Sequence, residues 1–179
     1  MRRVSFAAII LIFLTPSAWA LETVCQGHED NLKTYLEMTD ILFNQRQTSR
    51  AGEYYADTFI SHNVDTGGLV KKVRTPEYMA KVWSRANRTN PDRKVTNELI
   101  ICQGDLVIAR VSATGTLIPD VLRDQPEKGR RYIYSAIDIY RFKDGKVVER
   151  WGNNDRVAQI RQTGLDVDLS LKPLPTQID

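Results

Sequence analysis

A chain of 179 residues, 42% hydrophobic and 26% charged, is the size of one domain with a substantial core. Its formal charge of +3 includes Arg2 and Arg3 of an amino-terminal leader. Without that leader the charge falls to about +1, so basicity is no argument for a nucleic-acid partner.

Residues 1–20 read as a signal peptide. Arg2 and Arg3 precede an apolar run from Val4 to Leu14, Pro16 breaks it, and Ala18-Trp19-Ala20 offers small residues at a cleavage site. The run falls short of the roughly 20 residues that span a bilayer. The expectation is therefore an exported, periplasmic or secreted chain of about 159 residues with no membrane partner after cleavage. Two cysteines follow, Cys25 and Cys102. In an oxidising compartment they can form a disulfide tying the amino-terminal segment to a strand; otherwise they remain two thiols, with Cys102 in the core. His28 and His62 are the only histidines, and nothing has metal-ligand spacing.

In chain order, "EDNLKTYLEMTDILFNQ" places Leu32, Tyr35, Leu36, Leu42 and Phe43 at helical spacing. "SRAGEYYADTF" reads as a short second helix broken by Gly52, and "LVKKVRTP" as a solvated basic loop. "TPEYMAKVWSRANR" is the clearest helix, with Thr75 as N-cap, Pro76 next and Glu77 in the first turn. From Lys94 the period becomes two. "KVTNELIICQGDLVIARVSATGTL" reads as two strands about a Gln103-Gly104-Asp105 turn, and Asp144-Gly145 joins two more as a hairpin. "DRVAQIRQTG" closes as a helix ending at Gly164, and residues 166–179 form a Pro-containing tail. Three helices followed by consecutive antiparallel strands predict an α+β fold whose curved sheet wraps its helices around a pocket.

Four stretches carry a resemblance: "YYADTFISHN", "YMAKVW", "QGDLVIARVSATGTL" and "IDIYRFKDGKVVERWGNNDRVAQIRQTGL". From about Asn31 to Leu165 the chain resembles the SnoaL-like polyketide cyclases and ester cyclases of the nuclear-transport-factor-2-like (NTF2-like) superfamily. The last stretch is the most specific, following R-F-x-D-G-K-I-x-E-x-W-x-x-x-D and ending in Q-x-G. The resemblance implies one domain over residues 21–165. It further implies a cone-shaped α+β barrel with an interior pocket, three amino-terminal helices within a mostly antiparallel sheet, and a homodimer formed through that sheet.

Fold membership does not name a reaction, because this superfamily holds both enzymes and binding domains. Asp155 matches the position that acts as acid/base in the cyclases, and it also stands where the following helix needs an N-cap. His62, in "FISHN", is the only midchain histidine and the second candidate for proton transfer; its neighbour Asn63 can orient a carbonyl. Where many relatives read Glu-His-Trp, this chain has Glu149-Arg150-Trp151, and an arginine binds anions but does not shuttle protons. A two-residue hairpin turn pairs Lys143 with Lys146, hence Tyr140 with Glu149 and Asp138 with Trp151. Both hairpin faces mix apolar and charged residues, so this pattern leaves open which one lines the pocket. Trp83, Tyr134, Asp138, Tyr140, Arg150 and Trp151 are the candidate lining, for a small carbonyl or acidic ligand and no cofactor. A cyclase, lyase or isomerase and a non-catalytic ligand-binding or dimerisation domain both fit these residues.

Overall fold

The computed structural model describes residues 21–65 and 68–164, with 63–65 and 68–71 described by backbone alone. The expected leader, the tail 166–179 and the side chain of Asn63 lie outside the described residues. The elements are β1 (Glu22–Val24), α1 (Glu29–Thr39), β2 (Tyr55–Asp65), β3 (Gly68–Arg74), α2 (Pro76–Thr89), β4 (Lys94–Gln103), β5 (Leu106–Leu117), β6 (Arg130–Lys143), β7 (Lys146–Asn154) and α3 (Arg156–Thr163). All seven strands join one sheet in the order β1-β4-β5-β6-β7-β2-β3. β1 on β4 and β2 on β7 are parallel, and the remaining neighbours are antiparallel. The sheet curves around α1 and α2 without closing, which is the expected α+β, NTF2-like architecture.

Two details differ from the expectation. Among the described residues α1 and α2 are the full helices ahead of β4–β7. The expected second helix is a 3-10 turn, Thr48–Glu53, after which the chain becomes strand at Tyr55. Tyr, Thr, Phe and Ile in "YADTFI" favour a strand, and Tyr55 pairs with Val147 of β7, so sheet pairing wins over a helix already weakened by Gly52. "LVKKVRTP" likewise contributes most of β3 rather than a loop. Its partner strand β2 shares an edge hairpin with it, pairing Phe59 with Arg74 and Asp65 with Gly68.

The helices form for local reasons and are held by packing. Thr75 Oγ1 accepts from the Tyr78 N–H, and Pro76 at the first position has no N–H to leave unpaired. Met79 and Trp83 turn into the core, while Tyr78 and Val82 stay over 40% exposed. α1 buries Tyr35 and Met38, then continues through a π-helical turn, Asp40–Asn44, with Leu42 fully buried. Burying each such side chain contributes about 2 kcal/mol. The turn delivers Asn44 to β4, where its side chain accepts from Val95 N–H and donates to Val95 O. Cys25 and Cys102 are joined as a disulfide, which fastens the segment after β1 to β4. Among the described residues no helix is long and apolar enough to cross a membrane.

Candidate functional site

Alternation along β6 sends Tyr132, Tyr134, Ala136, Asp138, Tyr140 and Phe142 to the concave face. Across from them, β5 presents Val107, Ala109, Val111 and Ala113. These small residues leave space that large aliphatic side chains would fill. The result is a cavity of about 610 Å³ between the sheet, α1 and α2, walled by Phe43, Trp83, Tyr134 and Tyr140 among others. That volume suits a small organic ligand.

The hairpin decides which charges enter this cavity. Asp144 and Gly145 both have positive φ, as a tight two-residue turn demands, and Lys143 pairs with Lys146 as expected. Beyond Phe142–Val147 the register shifts by one residue at Val148, so Tyr140 faces Arg150 and Asp138 faces Gly152. The expected pairings of Tyr140 with Glu149 and Asp138 with Trp151 are therefore corrected. A single inserted residue reverses the face of everything after it. Arg150 points inward beside Tyr140, while Glu149 and Trp151 point outward.

Arg150 and Asp138 form a largely buried pair, Nη2 to Oδ1 3.4 Å, with side chains 13% and 18% exposed. Gly152 makes room for it: a Cβ there would stand 2.7 Å from both Arg150 Nη2 and Asp138 Oδ1. Burial pushes the Asp138 carboxyl above its ordinary pKa, against the pull of Arg150. Burial likewise raises the Tyr140 phenol well above its usual range and moves Tyr55 up to about 12, so both are neutral donors. Arg150 stays charged: burial opposes this, but a guanidinium keeps its proton and Asp138 favours the charged form. Its Nε is buried with no hydrogen-bond partner among the described residues, and so are the neighbouring Tyr55 Oη and Ser61 Oγ. Ser61 stands opposite Arg150 where β2 meets β7. Among the described residues lining the cavity Asp138 is the only carboxylate, against Arg93, Arg150 and Arg156. The site is an aromatic chamber with a cationic bias, able to hold an oxyanion and to exchange one proton through Asp138.

The structure does not bring His62 and Asp155 together in this cavity. His62 lies on the convex face, its ring stacked on Trp151 at 4.8 Å and its Nε2 donating to Glu149 Oε1 at 2.8 Å. Glu149 Oε2 also accepts from Arg141, which in turn binds Asp105. Asp155 is exposed and caps α3, its Oδ1 accepting from Ala158 N–H at 2.8 Å. Asn154 and Arg156 on either side of it reach the cavity lining, and Asp155 does not. Of the other candidates, Trp83, Tyr134, Asp138, Tyr140 and Arg150 line the cavity, and Trp151 does not. Gly152, Tyr35 and Arg93 were not anticipated. A glycine inside a strand is a sign of close approach and could have pointed to the first. Among the described residues no group of three or more His, Cys, Asp and Glu side chains could hold a metal ion.

The profile of the SnoaL-like polyketide cyclases matches residues 33–163. The chain belongs to this family. Solved structures described as a putative polyketide cyclase, a putative hydroxylase and a SnoaL-like polyketide cyclase share its fold across nearly their whole length. Wild-type IdmH from Streptomyces antibioticus is 26% identical with a TM-score of 0.64, over 75% of this chain and 99% of that one. AclR from Streptomyces galilaeus is 22% identical, TM-score 0.63, over 76% and 96%. A SnoaL-like polyketide cyclase from Agrobacterium tumefaciens is 22% identical, TM-score 0.58, over 74% and 96%. Comparison with curated proteins found no match.

Proposed function

We propose that this SnoaL-like domain binds a small, partly apolar carbonyl compound or its enolate in the cone and performs cofactor-independent acid/base chemistry on it. The supporting observation is the buried Asp138–Arg150 pair facing an aromatic cavity, with Arg150 Nε unpaired among the described residues. Arg150 and the neutral Tyr140 phenol would hold the oxygen on which negative charge develops. Asp138 would take a proton from the adjacent carbon when ionised, or deliver one to the oxygen when protonated. Its raised pKa extends the protonated, acid-competent form above the ordinary carboxylate range, and that form is lost as pH rises through the raised value. A ligand screen by thermal shift finds the compound. Asp138→Asn should then lower turnover by about 10²–10⁴-fold, the usual contribution of a positioned acid/base. Loss of turnover in Asp155→Asn, with Asp138→Asn active, would move the proton-handling role to the family position.

A non-catalytic binding domain is the second reading. It is favoured by the outward placement of His62 and by the cavity's charged arginine, which binds anions and does not shuttle protons. In that case Arg150→Met abolishes ligand binding while no bound carbonyl compound is converted. Export and homodimer formation complete the proposal. The leader and the disulfide support the first. The second draws on the convex sheet face, where Ile133 and Ile137 are more than half exposed. Cell fractionation and light scattering test them.

A further inference from the structure

The same cavity has a second polar pole, on the connection between α2 and β4. Asn90 is 8% exposed and lines the cavity. Its Nδ2 donates to the Ala86 carbonyl at 2.8 Å and to Thr89 Oγ1 at 2.9 Å. Thr89 Oγ1 donates its own proton to the Ala86 carbonyl, so it accepts from Asn90, and the orientation of the amide follows from the network. Asn90 Oδ1 is then a buried acceptor with no partner among the described residues. The Nε of Arg93, in the same lining, is a buried donor with none. Buried polar atoms in folded proteins are nearly always paired, so a partnerless acceptor and a partnerless donor on two residues that line one cavity call for a reason.

Their position is set by packing. A Cβ on Gly115 would stand 3.1 Å from Arg93 Cα and 2.9 Å from Tyr132 Oη, so glycine lets the connection close against β5 and β6. Arg93 thus belongs to the Tyr132 end of β6, and Arg150 pairs with the Tyr140 end. About 25 Å of strand separates those ends, and the long arginine side chains shorten the gap. The charge of Arg93 is felt at Asp138. Aromatic walls fill the space between: Phe43 packs edge-on against Trp83, and Tyr132 stacks on Tyr134.

We infer that Asn90 and Arg93 form a specificity subsite for a ligand end group carrying an acceptor and a donor side by side, a carboxamide or a hydroxyl next to a carbonyl. The acceptor takes the Arg93 Nε–H, and the donor bonds Asn90 Oδ1. The ligand is then an elongated, flat molecule with two polar ends, one at Asp138 and Arg150 and one at Asn90 and Arg93. This rests on the cavity reading proposed above.

Three probes on one frame test it by isothermal titration against the wild-type protein: 2-naphthol, 6-hydroxy-2-naphthamide and 6-hydroxy-N,N-dimethyl-2-naphthamide. The primary amide should bind about tenfold tighter than 2-naphthol, as one hydrogen bond to a charged donor and one to a buried acceptor warrant. The dimethyl amide, lacking the donor, should lose most of that advantage. Arg93→Met should bring the amide close to 2-naphthol, whereas Arg150→Met should weaken all three. Equal wild-type binding of the primary amide and 2-naphthol overturns the subsite without any variant, and so does an amide preference that survives Arg93→Met. Failure of all three probes to bind overturns the cavity reading and the subsite with it.

Discussion

Glu149 holds His62 with one oxygen and Arg141 with the other, on the convex side of β7. The His62 hydrogen bond does most to hold its carboxyl below the ordinary range; burial opposes this, and Arg141 adds to it. A folded pKa below the unfolded one means stability that is present above the unfolded value, about 4.3, and lost as pH falls through the folded value. Urea midpoints measured from neutrality down through that range should therefore fall more steeply for the wild type than for Glu149→Gln. Superimposable profiles would remove this network from the account of acid stability. Inside the sheet, one residue away, Arg150 answers to different neighbours. Its guanidinium is confined by Tyr140 and Asp138, and Gly152 keeps the space it needs.

At the scale of elements, α3 shows why Asp155 is not free for chemistry without cost. The helix is short, begins with the Asp155 cap and ends at Gly164, whose φ of 62° suits a residue without a side chain. Gln162 holds it to β6 by accepting from Ile133 N–H and donating to Ile133 O. Gln159 is buried and lines the cavity, so fraying of this helix would disturb the cavity wall. Asp155→Ala should lower stability by about 1 kcal/mol, and Asp155→Asn, which retains an acceptor, by only a few tenths. Chemical denaturation of the two variants measures both. Equal losses would show that the side chain contributes something other than the cap.

At the scale of the molecule, an unclosed sheet has two edges, and the disulfide secures one of them. β1 is three residues long and adds to β4 at that edge. Its chain is fastened by Cys25–Cys102 across 77 positions of sequence. Closing a loop of that length in the unfolded chain corresponds to about 4 kcal/mol in the chain-entropy picture. Cys25→Ser with Cys102→Ser should lower the urea midpoint accordingly, and adding reductant to the wild type should approach the same value. A variant as stable as the oxidised protein would confine the bond to positioning β1. The opposite edge, β3, pairs with β2 and contains no cysteine.

Much of this organisation was legible in the chain itself. Period-two runs from Lys94 onward, the Asp144-Gly145 turn and the Thr75-Pro76 start each express a short-range preference, so the α+β class and the last four strands could be read directly. The hairpin stretch identified the family, and alternation placed Asp138 and Tyr140 on one face. Tertiary structure decided the rest. β2 is a strand because β7 lies beside it, a partner nearly a hundred positions away whose pairing no local propensity encodes. The inward turn of Arg150 and the outward turn of Trp151 follow from one extra residue in β7, and His62 of β2 stands opposite Trp151. A bulge carries almost no local signature, yet it inverts the face of every side chain beyond it. The sequence by itself determined that there would be a cone with a cavity and which residue types were available to it. Only the folded register decided that the cavity would hold an Arg–Asp pair instead of the histidine and the capping aspartate.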